Sequence, residues 1–323
     1  MELRTSRMCL TFFFFILLSS ILWYIIFQDN PYVLGYEYMN EPWIGDYFQD
    51  PGLSLPGYAA KQNLVPAYDV ITEMVREEDP DNGIVFYEPM IYGQLLEGSF
   101  TGAGFEEVPG GDQYRNMSSY SWHAYCWALE FVGSNATDEE REEARDFCDT
   151  ELLPTMFESA QVQVNITGGV AILTEFGLCI GDEETDVIDM KCDTFVNLAD
   201  EYLMGWTEWD YNGSWYTNGE RNWPKILPHV RPYAQRTAGF PISMHFDTET
   251  LEFNYEYEAN LDITAPTEIF LPPVRYPSGA NVTVSEGFEV SQSADRFGLF
   301  LVVPSETNAG QTNVRFLASS LSN

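Results

Sequence analysis

The chain has 323 residues, enough for a sizeable core and two domains, and its 22 Phe, 19 Tyr and 8 Trp belong to a globular composition. A formal net charge of −35 repels phosphate backbones and anionic lipid surfaces, which excludes nucleic acid as a partner. No Cys/His cluster has zinc spacing and no Gly-rich loop has phosphate-binding spacing, so neither a metal nor a cofactor is expected.

Arg4 and Arg7 precede "MCLTFFFFILLSSILWYIIF", an apolar run ending at Phe27. Its length is close to the roughly 20 residues that span a bilayer. Residues 1–30 therefore read as a cleaved signal peptide or an uncleaved signal-anchor, and both alternatives stay open. With the basic residues on the N-terminal side, the remainder is expected to face the lumen or exterior, secreted or membrane-anchored. Five Asn-x-Ser/Thr sequons, at Asn116, Asn135, Asn165, Asn212 and Asn281, agree with export. So do four cysteines beyond the leader, Cys126, Cys148, Cys179 and Cys192. An even set suggests two bridges, with the short-range pairs Cys126–Cys148 and Cys179–Cys192 expected.

The body alternates between strand-like and helix-like stretches. "VLGYEYMNE", "GIVFYEPM", "SSYSWHAYC", "GGVAILTEFG" and "YLMGWTEWDY" read as strands. "NLVPAYDVITEMVREED", "DEEREEARDFCDTELLPTMFESAQV" and "DMKCDTFVNLADEY" read as helices, the acidic run being a solvated face. This rhythm predicts parallel βα units over residues 31–238. Each strand carries polar residues at its C-terminal end: Asn40 and Glu41, Glu88, His123 and Tyr125, Glu175, then Glu208 with Trp209. In a (β/α)8 barrel that rim is the catalytic one. From Gly239 to the end, short alternating strands with turn signals predict a small all-β sandwich, the boundary falling within "PHVRPYAQRTAGFP".

Two carboxylates on strand ends of one barrel suit glycoside hydrolysis with retention of configuration. One is protonated and donates to the leaving oxygen, while the other attacks the anomeric carbon. Asn40 is placed to hold the sugar 2-hydroxyl, and Tyr125 to hydrogen-bond the nucleophile. His123 lies two residues before Tyr125, on the same strand face. Trp209, nearer the rim than Trp206, is the expected sugar-stacking platform. Glu88 is read as structural or hydrogen-bonding.

"GYEYMNEPWIGD", "IVFYEP", "WHAYC", "ILTEFG" and "GWTEWDYNGSW" together resemble glycoside hydrolase family 5, and within it the endoglycoceramidases. The resemblance covers most of Val33 to Arg236, and the trailing β domain looks like that subfamily's C-terminal sandwich. It implies that Glu41 is the acid/base and Glu175 the nucleophile. It implies as substrate the bond between glycan and ceramide of glycosphingolipids, and contact with a membrane through the lipid substrate or the leader. The family places the Asn-Glu-Pro strand fourth of eight, whereas here it follows the leader at once. The expectation is thus an incomplete TIM barrel, about strands four to eight, in a truncated chain that is inactive on glycosphingolipids unless an upstream segment is restored. Two alternatives stay open: a β-glucanase or β-mannanase acting on polysaccharide, and a non-catalytic, membrane-anchored carbohydrate-binding protein.

Overall fold

A computed structural model describes residues 26–27, 30–78, 80, 83–90, 103–132, 136–177, 179–180 and 190–321, without the side chains of residues 130, 179–180 and 190–191. Residues 1–25 of the apolar leader, Asn135 and the Cys179 side chain lie outside this set. Among the described residues, no helix is long and apolar enough to cross a membrane.

The first sheet has five strands in the order β1-β2-β3-β4-β7. They are β1 (Gly35–Glu37), β2 (Ile84–Tyr87), β3 (Ser118–Ala124), β4 (Val170–Phe176) and β7 (Gly205–Glu208). The registers of β1 on β2 and of β2 on β3 are parallel, Tyr36 facing Val85 and Phe86 facing Ser119. Each lies where the sequence predicts a barrel strand. This is a partial TIM barrel. Val85, Phe86, Tyr87 and Trp122 are buried, as expected of parallel strands covered on the helix side. Gly35 has a local reason: a methyl group there would collide with the Ile84 carbonyl on the neighbouring strand.

Helix α1 (Val65–Glu78) buries Tyr68, Ile71, Thr72, Val75 and Arg76, one stripe at helical spacing. Tyr38 meets that stripe with its ring 5.6 Å from Tyr68 and its hydroxyl 3.0 Å from Thr72 Oγ1. After α2 (Trp127–Val132), α3 (Asp138–Phe147) opens with a capping box between Thr137 and Glu140 and buries no residue, so the acidic run is solvated. Helix α4 (Leu153–Thr167) packs Phe157 edge-on against Trp122, 4.8 Å apart. Helix α5 (Cys192–Glu201) buries Phe195, Val196, Ala199 and Asp200.

By compactness the chain divides into two units, residues 1–124 with 154–175, and residues 125–153 with 176–323. The second contains the Cys126–Cys148 disulfide, which closes a loop of 22 residues, a constraint of roughly 3 kcal/mol. Cys192 is also disulfide-bonded. The short pairs β5 (Cys179–Ile180) with β6 (Met190–Lys191), and β8 (Tyr216–Thr217) with β9 (Glu220–Arg221), precede α6 (Trp223–Ile226).

The second unit ends in a β-sandwich of two four-stranded sheets, β10-β13-β16-β15 and β11-β12-β17-β14. These are β10 (Tyr233–Arg236), β11 (Gly239–Phe246), β12 (Phe253–Ala259), β13 (Thr267–Phe270), β14 (Ala280–Val284), β15 (Phe288–Gln292), β16 (Leu299–Pro304) and β17 (Asn313–Ser320). The sandwich begins at β10, ahead of the expected boundary at Gly239, because β10 pairs with β13. Its core is Phe246, Phe253, Tyr255, Tyr257, Ile269, Val302, Val314 and Phe316, supplied by alternate residues of each strand. Arg231 fastens α5 to β11. Its Nε and Nη2 donate to Asp200 Oδ2 at 2.9 and 2.7 Å, and Nη2 also reaches Asn197 and the Phe246 carbonyl.

Candidate active site

Four side chains of the first unit converge where its strands end. Glu41 lies past β1 in a left-handed backbone conformation, φ 44°, unusual for a residue with a Cβ. Glu88 follows β2, His123 is on β3 and Glu175 is on β4. Trp122 turns to the helix side, so strand alternation sends His123 to the other face. His123 Nδ1 lies 2.9 Å from Glu41 Oε1 and 3.5 Å from both Glu88 Oε1 and Glu175 Oε2. One oxygen of Glu41, one of Glu175 and a His123 nitrogen all fall within 4.8 Å of one another. The two predicted carboxyls thus face each other at a separation near that of retaining glycosidases, about 5–5.5 Å.

These three groups are also close enough to grip a cation. The His123 nitrogen and the Glu41 oxygen that would ligate it already bond each other.

Glu88 is the most buried of the four, 3% exposed. Its Oε2 accepts the Glu41 backbone N–H at 2.6 Å, and the Tyr68 hydroxyl donates to its carbonyl at 3.1 Å. Burial pushes its carboxyl up to about 9; the Glu41 N–H opposes that, and the charges of Glu37, Glu41 and Glu175 reinforce it.

Glu37 is an addition the sequence reading did not make. Burial raises its carboxyl, opposed by the Ser121 hydroxyl and His123 and reinforced by Glu175. The signal was slight: Glu37 is the last residue of β1, the strand that leads to Glu41.

The remaining predicted residues are placed as follows. Asn40 is exposed beside Glu41. Tyr125 belongs to the other unit and lies beyond the end of β3, so strand alternation no longer pairs it with His123. Trp209, 60% exposed, follows β7, while Trp206 packs on Phe176 and His229. The Trp209 N–H donates to the Phe176 carbonyl at 2.7 Å, and a methyl group at Gly177 would collide with the Trp209 carbonyl. That close approach explains the glycine of "TEFG". Among the sequons, Asn116, Asn165, Asn212 and Asn281 are exposed. Asn212 bonds Asp210 and the Ser214 N–H.

Behind Trp209, Glu208 is nearly buried, with His229 Nε2 at 3.1 Å from Oε2 and Lys225 Nζ at 3.7 Å from Oε1. Burial raises the Glu208 carboxyl to about 7 and lowers His229 to about 4.

Parallel barrel strands with facing carboxyls at their ends, followed by a β-sandwich, define a partial TIM barrel joined to a β-sandwich domain. Residues 26–214 match the cellulase family, glycosyl hydrolase family 5, and residues 231–315 match the glycoside hydrolase family 5 C-terminal domain. The chain belongs to glycoside hydrolase family 5. It is 30% identical over 274 residues to an endoglycoceramidase of Cyanea nozakii, covering 80% of this chain and 48% of that one. To an endoglycoceramidase of Hydra vulgaris it is 28% identical over 290 residues, covering 85% and 49%. The chain therefore spans about half the length of the curated relatives it matches. Among solved structures it is similar to endo-glycoceramidase II from Rhodococcus sp., with TM-score 0.67 and 24% identity, covering 92% of this chain and 61% of that one. A ganglioside GM3 complex of that protein is matched at 23% identity with the same TM-score. At that identity the likeness speaks for the fold.

Proposed function

We propose that the protein is a retaining glycoside hydrolase of the endoglycoceramidase kind, cleaving the bond between glycan and ceramide of glycosphingolipids. The observation that carries the reading is the facing of Glu41 and Glu175 across the strand ends, within 4.8 Å. Two carboxyls at this separation fit the acid and nucleophile roles of a retaining mechanism. Glu41, hydrogen-bonded to His123, is the acid that protonates the leaving ceramide oxygen. Glu175 attacks the anomeric carbon and forms a glycosyl-enzyme, which water then hydrolyses with Glu41 as base. Asn40 holds the 2-hydroxyl. Tyr125, past the end of β3, loses the strand-face argument for bonding the nucleophile, and Trp209 stays the candidate for stacking on the sugar. The ceramide end of the substrate rests on the likeness to proteins named endoglycoceramidase.

The reading includes a truncated chain whose turnover by itself is lost or residual, and its placement in the lumen or exterior. Among the described strands β1 is an edge, and Tyr32 and Leu34 beside it are exposed. A single-turnover experiment suits such a chain: excess protein is mixed with a ganglioside and the products are identified by mass spectrometry. Intact ceramide plus the whole oligosaccharide is expected, and Glu175→Gln removes both. Cleavage of a soluble β-glucan in preference to ganglioside would replace the lipid reading with the polysaccharide one.

A further inference from the structure

We propose that Glu88 is a positioning residue for Glu41, a third carboxyl whose Oε2 holds the Glu41 peptide in place. This rests on the glycosidase reading above and deepens it.

The argument starts from the backbone. Glu41 sits at φ 44°, a conformation that persists only where its surroundings fix it. The group that fixes it is Glu88 Oε2, which accepts the Glu41 N–H at 2.6 Å. Glu88 is itself anchored, since its carbonyl accepts the Tyr68 hydroxyl from α1. A rigid chain of contacts therefore runs from helix α1 to the residue proposed as acid.

The state of Glu88 follows from what faces it. Glu37 and Glu41 approach from β1 and its extension, His123 from β3, Glu175 from β4, and Tyr68 from α1. Three of these five are carboxyls and only His123 can be a cation. A further negative charge here, 3% exposed, would be both desolvated and repelled. The neutral acid avoids both costs and still accepts the peptide N–H.

The test compares the full wild-type chain with Glu88→Ala and Glu88→Gln, using single-turnover release from a ganglioside, ganglioside affinity, and the urea midpoint between pH 5 and pH 9. A carboxyl whose folded value is raised to about 9 stabilises fully at low pH and loses that contribution as pH rises toward 9. The wild-type midpoint should fall over this range, and Glu88→Gln, a neutral isostere, should remove that part of the fall. Glu88→Ala should slow release by about 100-fold at unchanged affinity, the cost of a misplaced reacting group, and Glu88→Gln should recover most of the rate. If the alanine variant does not fold, Glu88→Asp, which withdraws the carboxyl by one methylene, takes its place with the same expectation. A wild-type rate in the alanine or aspartate variant, or an unchanged pH dependence in Glu88→Gln, overturns the proposal. If the wild-type chain releases no oligosaccharide, the urea midpoints decide alone: a loss in Glu88→Ala that Glu88→Gln recovers supports the hold of Glu88 on the Glu41 peptide, and an unchanged midpoint in Glu88→Ala overturns it.

Discussion

Replacing Arg231 by Met should cost the second unit a large part of its stability, and the loss should grow with pH. Arg231 and Asp200 side chains are 4% and 6% exposed. The guanidinium makes two hydrogen bonds to one Asp200 oxygen, one to Asn197 and one to the Phe246 carbonyl, and lies 5.1 Å over the Phe246 ring. Methionine keeps part of the volume but none of the donors. A buried carboxylate stripped of its cation costs about 3–5 kcal/mol, a large share of a typical total of about 5–15 kcal/mol. Burial already raises the Asp200 carboxyl, with Arg231 pulling it down. Without Arg231 it rises further, so the folded state favours protonated Asp200. The variant is therefore least impaired at low pH, and loses stability as pH rises past the unfolded value of about 3.9. Urea unfolding followed by tryptophan fluorescence, at pH 5 and pH 7.5, measures both effects. A loss below about 1 kcal/mol at pH 7.5, or one equal at both pH values, would refute the reasoning.

Glu41→Gln should slow ganglioside cleavage by about 10²–10⁴-fold yet leave aryl glycosides with good leaving groups far less affected; equal losses on both substrates would remove the acid role. Gly177→Ala should displace the Trp209 peptide, lower stability by about 1–3 kcal/mol and raise KM if Trp209 stacks on the sugar, and a variant with wild-type Tm and KM would contradict this. For Glu208, raised to about 7, the stabilising contribution is full at low pH and lost as pH rises through 7. Glu208→Gln should therefore flatten the fall in Tm between pH 5 and pH 8, and an unchanged slope would show that Glu208 is ionised throughout.

The parallel strands were legible because strands covered by helices read as apolar runs that end in polar residues. "GIVFYEPM" and "GGVAILTEFG" are such runs, and they became β2 and β4. The pair Glu41 and Glu175 was legible for the same reason, since strand ends are where a barrel delivers side chains. β10 went unread because "YAQR" is short and exposed at both ends. β17 went unread because its alternation, Val314, Phe316 and Ala318 inward, runs into a polar Ser/Asn tail. Tyr125 shows the limit of periodicity: its strand stops at Ala124, and a face inferred from spacing ends with the strand. The state of Glu88 was not legible at all, because it arises from Glu41, 47 positions away, and from the likewise remote His123 and Glu175, which only the fold brings together.

The central claim is that Glu175 becomes covalently bonded to the sugar while Glu41 handles the proton. A 2-deoxy-2-fluoro β-glycosyl fluoride traps that bond, because the 2-fluorine slows both formation and hydrolysis of the glycosyl-enzyme while the good fluoride leaving group speeds formation alone, so the intermediate accumulates. Peptide mass spectrometry after incubation should place one sugar on the peptide containing Glu175, and Glu175→Gln should abolish it. A sugar on Glu41, on Glu88 or on any other carboxyl of the wild-type chain would contradict the account.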